Sequence, residues 1–234
     1  MKAPGLRIAT YNLQKCVGLD LRRRPGRTLK VIGALGARIV VLQEADKRLS
    51  PRHTALPFDM IAAAGWQVLP FGAPGGSLGW HGNAMLVAPG VTARATGHIE
   101  LPGLEPRGAI RAELDTTLGP LRVVGLHLGL IRRHRLLQIA AIQRSLTGLP
   151  ACPTLWAGDF NDWGSGAALD AAAPGVSFVP TPPSFPAPRP VARLDRFALS
   201  PELRVTATGA HSARPARVAS DHLPVWAEIA LHGR

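Results

Sequence analysis

The sequence has 234 residues, of which 46% are hydrophobic, and carries a formal net charge of +12 at pH 7. These values exclude a disordered chain, and the absence of any run near the roughly 18 apolar residues of a membrane span excludes a transmembrane segment. The N-terminus lacks the long apolar stretch of a secretory signal, so we expect a cytoplasmic protein. We also expect a monomer.

Glycine and proline divide the chain into short apolar segments, many of which resemble strands. In chain order we predict a strand at residues 6–12, a helix at 28–35, a strand at 38–43, a helix at 55–64, strands at 67–71, 83–87, 109–115 and 121–128, a helix at 132–146, and strands at 154–159, 194–199, 203–210 and 224–231. No repeat or linker interrupts this series. We therefore expect residues 1–234 to form a single domain, a two-sheet sandwich with helices outside.

Polar side chains stand at the ends of several predicted strands. They comprise three carboxylates, two histidines and two asparagines: Asn12, Glu44, His127, Asp159, Asn161, Asp221 and His222. One such residue alone is usually a turn residue or a helix cap. A whole set of them predicts a functional site at a sheet edge, because rigid elements position side chains more accurately than free loops do.

Seven short segments resemble the ordered motifs of the endonuclease/exonuclease/phosphatase superfamily. They are residues 10–12, 43–44, 82–84, 127–128, 158–161, 193–195 and 220–224. Each motif is weak alone, but the ordered set spans nearly the whole chain. The resemblance, which is closest to small bacterial members, implies an α+β fold of the DNase I-like type. Its four layers are αββα, with two mainly antiparallel or mixed sheets, and its activity is the hydrolysis of phosphoesters.

The resemblance also implies a metal site with Mg²⁺, for which Mn²⁺ could substitute. Mg²⁺ prefers oxygen ligands and is usually held by one or two carboxylates together with substrate phosphate. Glu44 is the leading ligand, with Asn12 contributing an amide oxygen and Asp221 a second carboxylate. Some nucleases of the family have an acidic ligand where this chain has Gln14. A second metal is therefore disfavoured, and we expect the following Lys15 to contact phosphate.

Three residues are assigned by the resemblance to the attacking water. His222 is expected to act as general base or to position the nucleophile, and Asp195 to accept its Nδ1 hydrogen and fix its tautomer. Asp159 is expected to align or deprotonate the same water. The sequence leaves open which of Asp159 and His222 takes the proton.

Three further residues are assigned to the phosphate. His127 matches the second histidine of the family, which donates to the phosphate or to the leaving oxygen. Asn161 is expected to hydrogen-bond a phosphate oxygen or the attacking water. Asn83 is expected to orient His127 or to contact phosphate.

The leading functional hypothesis is cleavage of phosphodiesters in nucleic acid, DNA or RNA, because a basic protein attracts polyanions. The alternative is a phosphodiesterase or phosphatase acting on lipids, through their anionic headgroups, or on small metabolites. These hypotheses share every catalytic residue, and we expect residues 128–135 and 180–190 to decide between them. A binding protein without activity is disfavoured, because no member of the predicted catalytic set is missing.

Overall fold

The computed structural model describes residues 5–47, 53–71 and 76–233. In these residues the chain forms twelve strands and five α-helices. The strands are β1 (Leu6–Asn12), β2 (Ile39–Gln43), β3 (Gln67–Val68), β4 (Ala84–Val87), β5 (Thr92–Glu100), β6 (Gly108–Thr116), β7 (Gly119–His127), β8 (Thr154–Asp159), β9 (Ser177–Phe178), β10 (Asp195–Leu199), β11 (Leu203–Ala210) and β12 (Val225–Leu231). The helices are α1 (Pro25–Gly33), α2 (Phe58–Ala63), α3 (Arg132–Leu146), α4 (Ala167–Ala172) and α5 (Ala216–Ala219).

The strands form two mixed six-stranded sheets that pack face to face. The first has the order β11-β12-β1-β2-β4-β3 and the second the order β5-β6-β7-β8-β10-β9. Each sheet contains one parallel pair near its centre, β1 with β2 and β7 with β8, and the other strand pairs of the described residues are antiparallel. With helices on both outer faces, this is the predicted four-layer α+β sandwich, and the fold prediction is confirmed.

Alternation along the strands produces three apolar layers. Residues such as Ile8, Val41 and Leu155 fill the space between the sheets. On the outer face of the first sheet, α1 and α2 contribute Ile32 and Ile61. The outer face of the second sheet is covered by α3 and α4 in the same way. Successive residues of a strand point to opposite faces, so strands buried on both faces appear as the continuous apolar runs seen in the sequence.

Most predicted elements agree with the structure to within a few residues, and the differences have local causes. The first helix begins at Pro25 instead of residue 28, because proline fits the first helical position. The segment predicted as a strand at 67–71 pairs only over Gln67–Val68. Strand β5 was not predicted, because it is an edge strand whose residues are mostly exposed and show little apolar alternation.

The described helices include none long and apolar enough to cross a bilayer.

The two sheets pack closely at Gly125 in β7. A Cβ atom built there would lie 2.7 Å from Val41 Cγ1 and 2.9 Å from Ile110 Cγ1. We therefore expect Gly125→Ala to lower the free energy of unfolding by about 1–3 kcal/mol through overpacking, measured by urea denaturation.

Gly33, at the end of α1, provides the matched control, because a Cβ atom there would meet nothing within 4 Å. Gly33→Ala should be neutral or stabilise by up to about 1 kcal/mol through helix propensity. Equal effects of the two substitutions would show that the sheets are not in close contact at Gly125.

Candidate active site

The two parallel strand pairs place polar residues at one end of the sandwich. Asn12 ends β1, Glu44 directly follows β2, and His127 and Asp159 end β7 and β8. The two sheets meet there, since Asn12 Nδ2 donates a hydrogen bond to Asp159 Oδ2 at 3.1 Å. We call this end of the sandwich the active-site edge.

The carboxylate of Asp159 is the centre of a buried polar network. Its Oδ2 atom lies 3.4 Å from His127 Nε2 and 3.8 Å from His222 Nε2, in addition to the contact with Asn12. Its Oδ1 atom accepts a hydrogen bond from the backbone N–H of Asn161 at 2.9 Å. One carboxylate thus joins groups from both sheets, and the structure brings five of the predicted site residues together.

His222 and Asp195 form a buried hydrogen-bonded pair. The Nδ1 atom of His222 lies 2.8 Å from Asp195 Oδ2, the geometry by which a carboxylate fixes the orientation and tautomer of an imidazole. The same oxygen accepts a hydrogen bond from Ser184 Oγ at 2.5 Å, while Asp195 Oδ1 is buried without a hydrogen-bond partner among the described residues. Ser184 is missing from the sequence prediction, because it lies in a proline-rich loop far from any motif.

Burial and charge separate the pKa values in this network. Burial, reinforced by the negative charge of Asp195, raises the pKa of Asp159 to about 6. Burial alone would lower the pKa of His222, but the Asp195 carboxylate and its hydrogen bond outweigh it and raise that pKa to about 10. At neutral pH the imidazole therefore retains its proton, while Asp159 is close to its point of ionisation.

The predicted metal ligands lie on the first-sheet side of this network. The carboxylate of Glu44 forms an ion pair with Lys15, and Asn12 Oδ1 accepts a hydrogen bond from the N–H of Gln14 at 3.1 Å. Asp221 is half-buried, and its backbone N–H donates to Gln14 Oε1 at 3.1 Å. Lys15 thus contacts Glu44, and its expected contact with phosphate stays a prediction.

The donor set fits a hard divalent cation, because it offers two carboxylates and an amide oxygen. The carboxylate of Glu44 is already paired with a positive charge, the ammonium group of Lys15. Asp159, Asp195 and His222 also place ligand atoms within 4.8 Å of one another. Their geometry is that of an acid–base network, since His222 Nδ1 is committed to Asp195. We therefore favour Glu44, Asn12 and Asp221 as the metal side of the site.

The turn after β1 has an unusual backbone conformation. Gln14, Lys15 and Cys16 have φ values of 45°, 58° and 59°, and Glu44 opposite them has a φ of 51°. Residues with side chains rarely adopt this left-handed region, which costs about 1–3 kcal/mol each and occurs preferentially at functional sites. The N–H of Lys15 donates to the carbonyl oxygen of Glu44 at 3.1 Å, so the backbone itself holds the two residues together.

A cavity of about 440 Å³ opens beside the network. Its lining is Lys15, Glu44, Asp46, Lys47, His81, Gly82, Glu105, Pro106, Arg107 and His127. The cavity connects the proposed metal side, at Glu44, with the histidine side, at His127. Its walls carry three cationic side chains and three carboxylates, and two of these cations are ion-paired, Lys15 with Glu44 and Arg107 with Glu105.

Asn83 lies beneath this cavity in the turn before β4. Its side chain is fully buried, and Nδ2 donates to the carbonyl oxygen of Gly108 in the opposite sheet at 2.8 Å. Its Oδ1 atom has no hydrogen-bond partner among the described residues. The role predicted for Asn83 stays a prediction.

A two-sheet sandwich with a shared carboxylate, two histidines and oxygen ligands at one edge is the arrangement of a metal-dependent phosphoester hydrolase. The chain belongs to the Endonuclease/Exonuclease/phosphatase family, whose model matches residues 9–222. Members of this family are phosphoester hydrolases and are generally metal-dependent, so the predicted family and enzyme class are both confirmed.

Three known proteins show the range of the likeness. YbhP of Escherichia coli (strain K12) is 30% identical in an alignment of 245 positions that covers 96% of each chain. D. rerio TDP2, solved with a single-strand DNA product, has a TM-score of 0.75 at 16% identity and covers 96% of this chain and 98% of its own. The mannosyl-6-phosphatase Bt3783 of Bacteroides thetaiotaomicron VPI-5482 has a TM-score of 0.71 at 18% identity, with coverages of 96% and 99%. The two structures share the fold with this chain.

The hydrogen bond from Ser184 to Asp195 gives a direct test of the network. Ser184→Ala removes a donor from a fully buried carboxylate, so we expect a loss of about 1–3 kcal/mol in the free energy of unfolding, measured by urea denaturation. Ser177→Ala, at an exposed serine, should change stability by less than about 0.5 kcal/mol. A Ser184 variant as stable as the Ser177 variant would contradict this hydrogen bond.

Proposed function

We propose that this chain hydrolyses phosphodiesters with Mg²⁺, or Mn²⁺ in its place, by in-line attack of water on phosphorus. One observation carries the proposal: the carboxylate of Asp159 contacts both His222 and Asn12, and thus joins the acid–base residues to the metal side. A site of this kind can activate water and neutralise phosphate charge at the same place.

Glu44, Asn12 and Asp221 would hold the metal ion. When bound, such an ion neutralises charge that develops on a non-bridging phosphate oxygen. The left-handed backbone at Glu44 directs this residue toward the Asn12 side of the sheet edge, where β1 and β2 run parallel and end together. The contribution of the protein is to present oxygen ligands on rigid strand ends.

Asp159 is the residue we propose as general base. A base is most effective when its pKa lies near the working pH, and the pKa of Asp159 is about 6. His222, protonated by virtue of Asp195, would donate a hydrogen bond from Nε2 to the phosphate or to the water and so position the nucleophile. We propose this division of roles for the two residues between which the sequence did not decide.

His127, Asn161 and Asn83 complete the proposed phosphate site. His127 Nε2 lies beside Asp159 and at the cavity wall, where it would donate to the phosphate or to the leaving oxygen. Asn161 uses one N–H of its amide on the carbonyl oxygen of Leu128 at 2.8 Å, which leaves the other for a phosphate oxygen. The unpartnered Oδ1 atom of Asn83 supports a role in accepting a hydrogen bond near this site.

Nucleic acid is the substrate favoured by the net charge of +12, and TDP2, solved with a DNA product, shows that this fold accommodates a nucleic-acid strand. A second candidate is a lipid or a small metabolite, and the mannosyl-6-phosphatase shows that the fold also serves sugar phosphates. Loops determine the choice on a shared scaffold. The composition of the loops at the active-site edge favours contact with lipid.

The acid–base residues can be tested by substitution. We expect His222→Ala and Asp159→Ala each to lower kcat by about 10²–10⁴-fold on bis-p-nitrophenyl phosphate, because each removes a group that acts on the water or phosphate. His232→Ala is the control, since this exposed histidine follows β12, where its ring contacts the carbonyl oxygen of Pro201 and its N–H donates to that of Glu202. Unchanged turnover in either active-site variant, with circular dichroism intact, would refute the mechanism.

The metal side predicts opposite effects for the two members of the Lys15–Glu44 ion pair. Glu44→Gln should weaken Mn²⁺ binding, whereas Lys15→Met should strengthen it by about tenfold, because the ammonium group occupies the carboxylate that the metal needs. Binding is measured by isothermal titration calorimetry without substrate. Lys47→Met, a second lysine of the same cavity, should leave the affinity unchanged. A Lys15 variant with weakened binding would contradict this competition.

A substrate panel separates the two candidate functions. Plasmid DNA, single-stranded DNA, RNA, phospholipids, bis-p-nitrophenyl phosphate and phosphomonoesters are each incubated with Mg²⁺, Mn²⁺ or EDTA. We expect phosphodiester turnover that EDTA abolishes. Turnover of phosphomonoesters alone would overturn the phosphodiester proposal, and full activity in EDTA would overturn the metal dependence.

A further inference from the structure

The exposed large apolar side chains are concentrated at one end of the molecule. Seven of the ten among the described residues lie in the loops of the active-site edge: Leu19, Leu21, Leu104, Leu130, Ile131, Trp163 and Val191. The other three, Phe58, Leu137 and Val218, lie on helices α2, α3 and α5. The loops at the opposite end, residues 33–38, 88–91, 117–118, 147–153 and 200–202, contain none. Single exposed apolar residues are normal in proteins, but their clustering marks an interaction surface.

The most exposed of these side chains stand at the tips of separate loops. Leu21, Leu104, Leu130, Trp163 and Val191 have 64% to 86% of their surface accessible. Each loop begins or ends at a strand terminus of the active-site edge. We call these five side chains the apolar rim. Exposed apolar side chains that gather at one end of a protein are typical of an interaction surface.

Contacts between the loops hold part of the rim in one place. Arg135 donates to the carbonyl oxygen of Leu130 at 2.7 Å and pairs with Asp162 at 3.2 Å, which fixes the Leu130 loop to the Trp163 loop. The Trp163 ring packs edge-on against Phe185, with centroids 5.8 Å apart. The N–H of Val191 donates to the carbonyl oxygen of Phe185 at 2.8 Å. Leu130, Trp163 and Val191 are therefore neighbours on a connected support.

The same support contacts the catalytic network. The Phe185 ring lies 4.9 Å from the ring of His222, between the network and the exposed Trp163. On the other side, Gln138 accepts from the N–H of Gly129 at 2.8 Å and donates to the carbonyl oxygen of Pro102 at 3.0 Å, which joins the Leu104 loop to the same framework. A ligand that binds the apolar rim would therefore lie next to the active site.

The charges around the rim favour an anionic occupant. Residues 128–135 and 179–194 contain no Asp or Glu and carry Arg132, Arg133, Arg189 and Arg193 on the surface. The other rim loops contain Asp20, Glu105 and Asp162, each of which is paired with an arginine. Aliphatic tips, one tryptophan and flanking arginines are the composition of protein surfaces that insert shallowly into anionic bilayers. Single-stranded nucleic acid is bound instead through several stacking aromatic rings, and the rim offers one.

We propose that the apolar rim and its arginines dock the active-site edge onto an anionic lipid bilayer. The leucine and valine tips and the Trp163 ring would enter the headgroup region, where an indole ring is favoured, while the arginines contact lipid phosphates. Docking in this orientation would open the cavity beside Glu44 and His127 toward the membrane surface. The proposal concerns binding and does not require hydrolysis.

Vesicle flotation tests the proposal with the full chain. We expect binding to vesicles of equimolar phosphatidylcholine and phosphatidylglycerol, weaker binding in high salt, and little binding to phosphatidylcholine alone. Leu130→Ser and Val191→Ser should each raise the lipid concentration for half-maximal binding by about tenfold, because each removes one buried aliphatic side chain. The matched controls Phe58→Ser and Leu137→Ser, also exposed but away from the active-site edge, should bind like the unaltered protein.

Tryptophan fluorescence supplies a second measurement. Trp163 is the tryptophan of the rim, so anionic vesicles should shift the emission to shorter wavelength in the unaltered protein but not in Trp163→Phe. Equal binding of rim and control variants, or no binding to anionic vesicles, would overturn the proposal. It would also be overturned if the rim variants lost affinity for a single-stranded oligonucleotide but not for vesicles. Failure here leaves the phosphodiester proposal standing, because no turnover is measured.

Discussion

The hydrogen bond from Asn12 to Asp159 connects the two halves of this molecule at the point where its chemistry is concentrated. Each sheet contributes one strand end to it, and the parallel neighbours β2 and β7 bring Glu44 and His127 to the same edge. The site therefore depends on the face-to-face packing of the sheets. A small shift between them would separate the metal side from the histidine side without disturbing either sheet.

The sequence was sufficient for the parts of the fold in which burial dictates residue type. The continuous apolar run at 39–42 and the helical stripe at 132–146 predicted β2 and α3, because hydrophobic patterning and secondary structure follow the same geometry. Strand β5 and the short helix α4 were missed. Strand β5 is exposed along most of its length, and α4 is an alanine-rich helix of 6 residues. Neither element therefore has a hydrophobic pattern set by the core.

The site shows the same division. Residues at strand ends, such as Asp159 and His222, were predictable because each lies in a family motif next to a strand that the apolar pattern predicts. Ser184 and Phe185 contact the network from a loop between strands, and nothing in their local sequence marks that contact. The pairing of Lys15 with Glu44 was likewise not predicted, because it arises from a left-handed turn whose residues include no glycine. Contacts that depend on a loop's path are read from structure alone.

The left-handed turn at Gln14, Lys15 and Cys16 has a consequence for how the protein can change. Three successive residues there occupy a conformation that glycine would adopt with little cost, so the native side chains reduce the stability of the fold. Gln14 and Cys16 make contacts that glycine would lose, since Gln14 Oε1 accepts from the N–H of Asp221 and Cys16 is buried in the core. A search for more thermostable variants should therefore find glycine or asparagine at Lys15 and not at its two neighbours. The same change would free the carboxylate of Glu44 from its ammonium partner, so a more durable fold and tighter metal binding would arise together at this position.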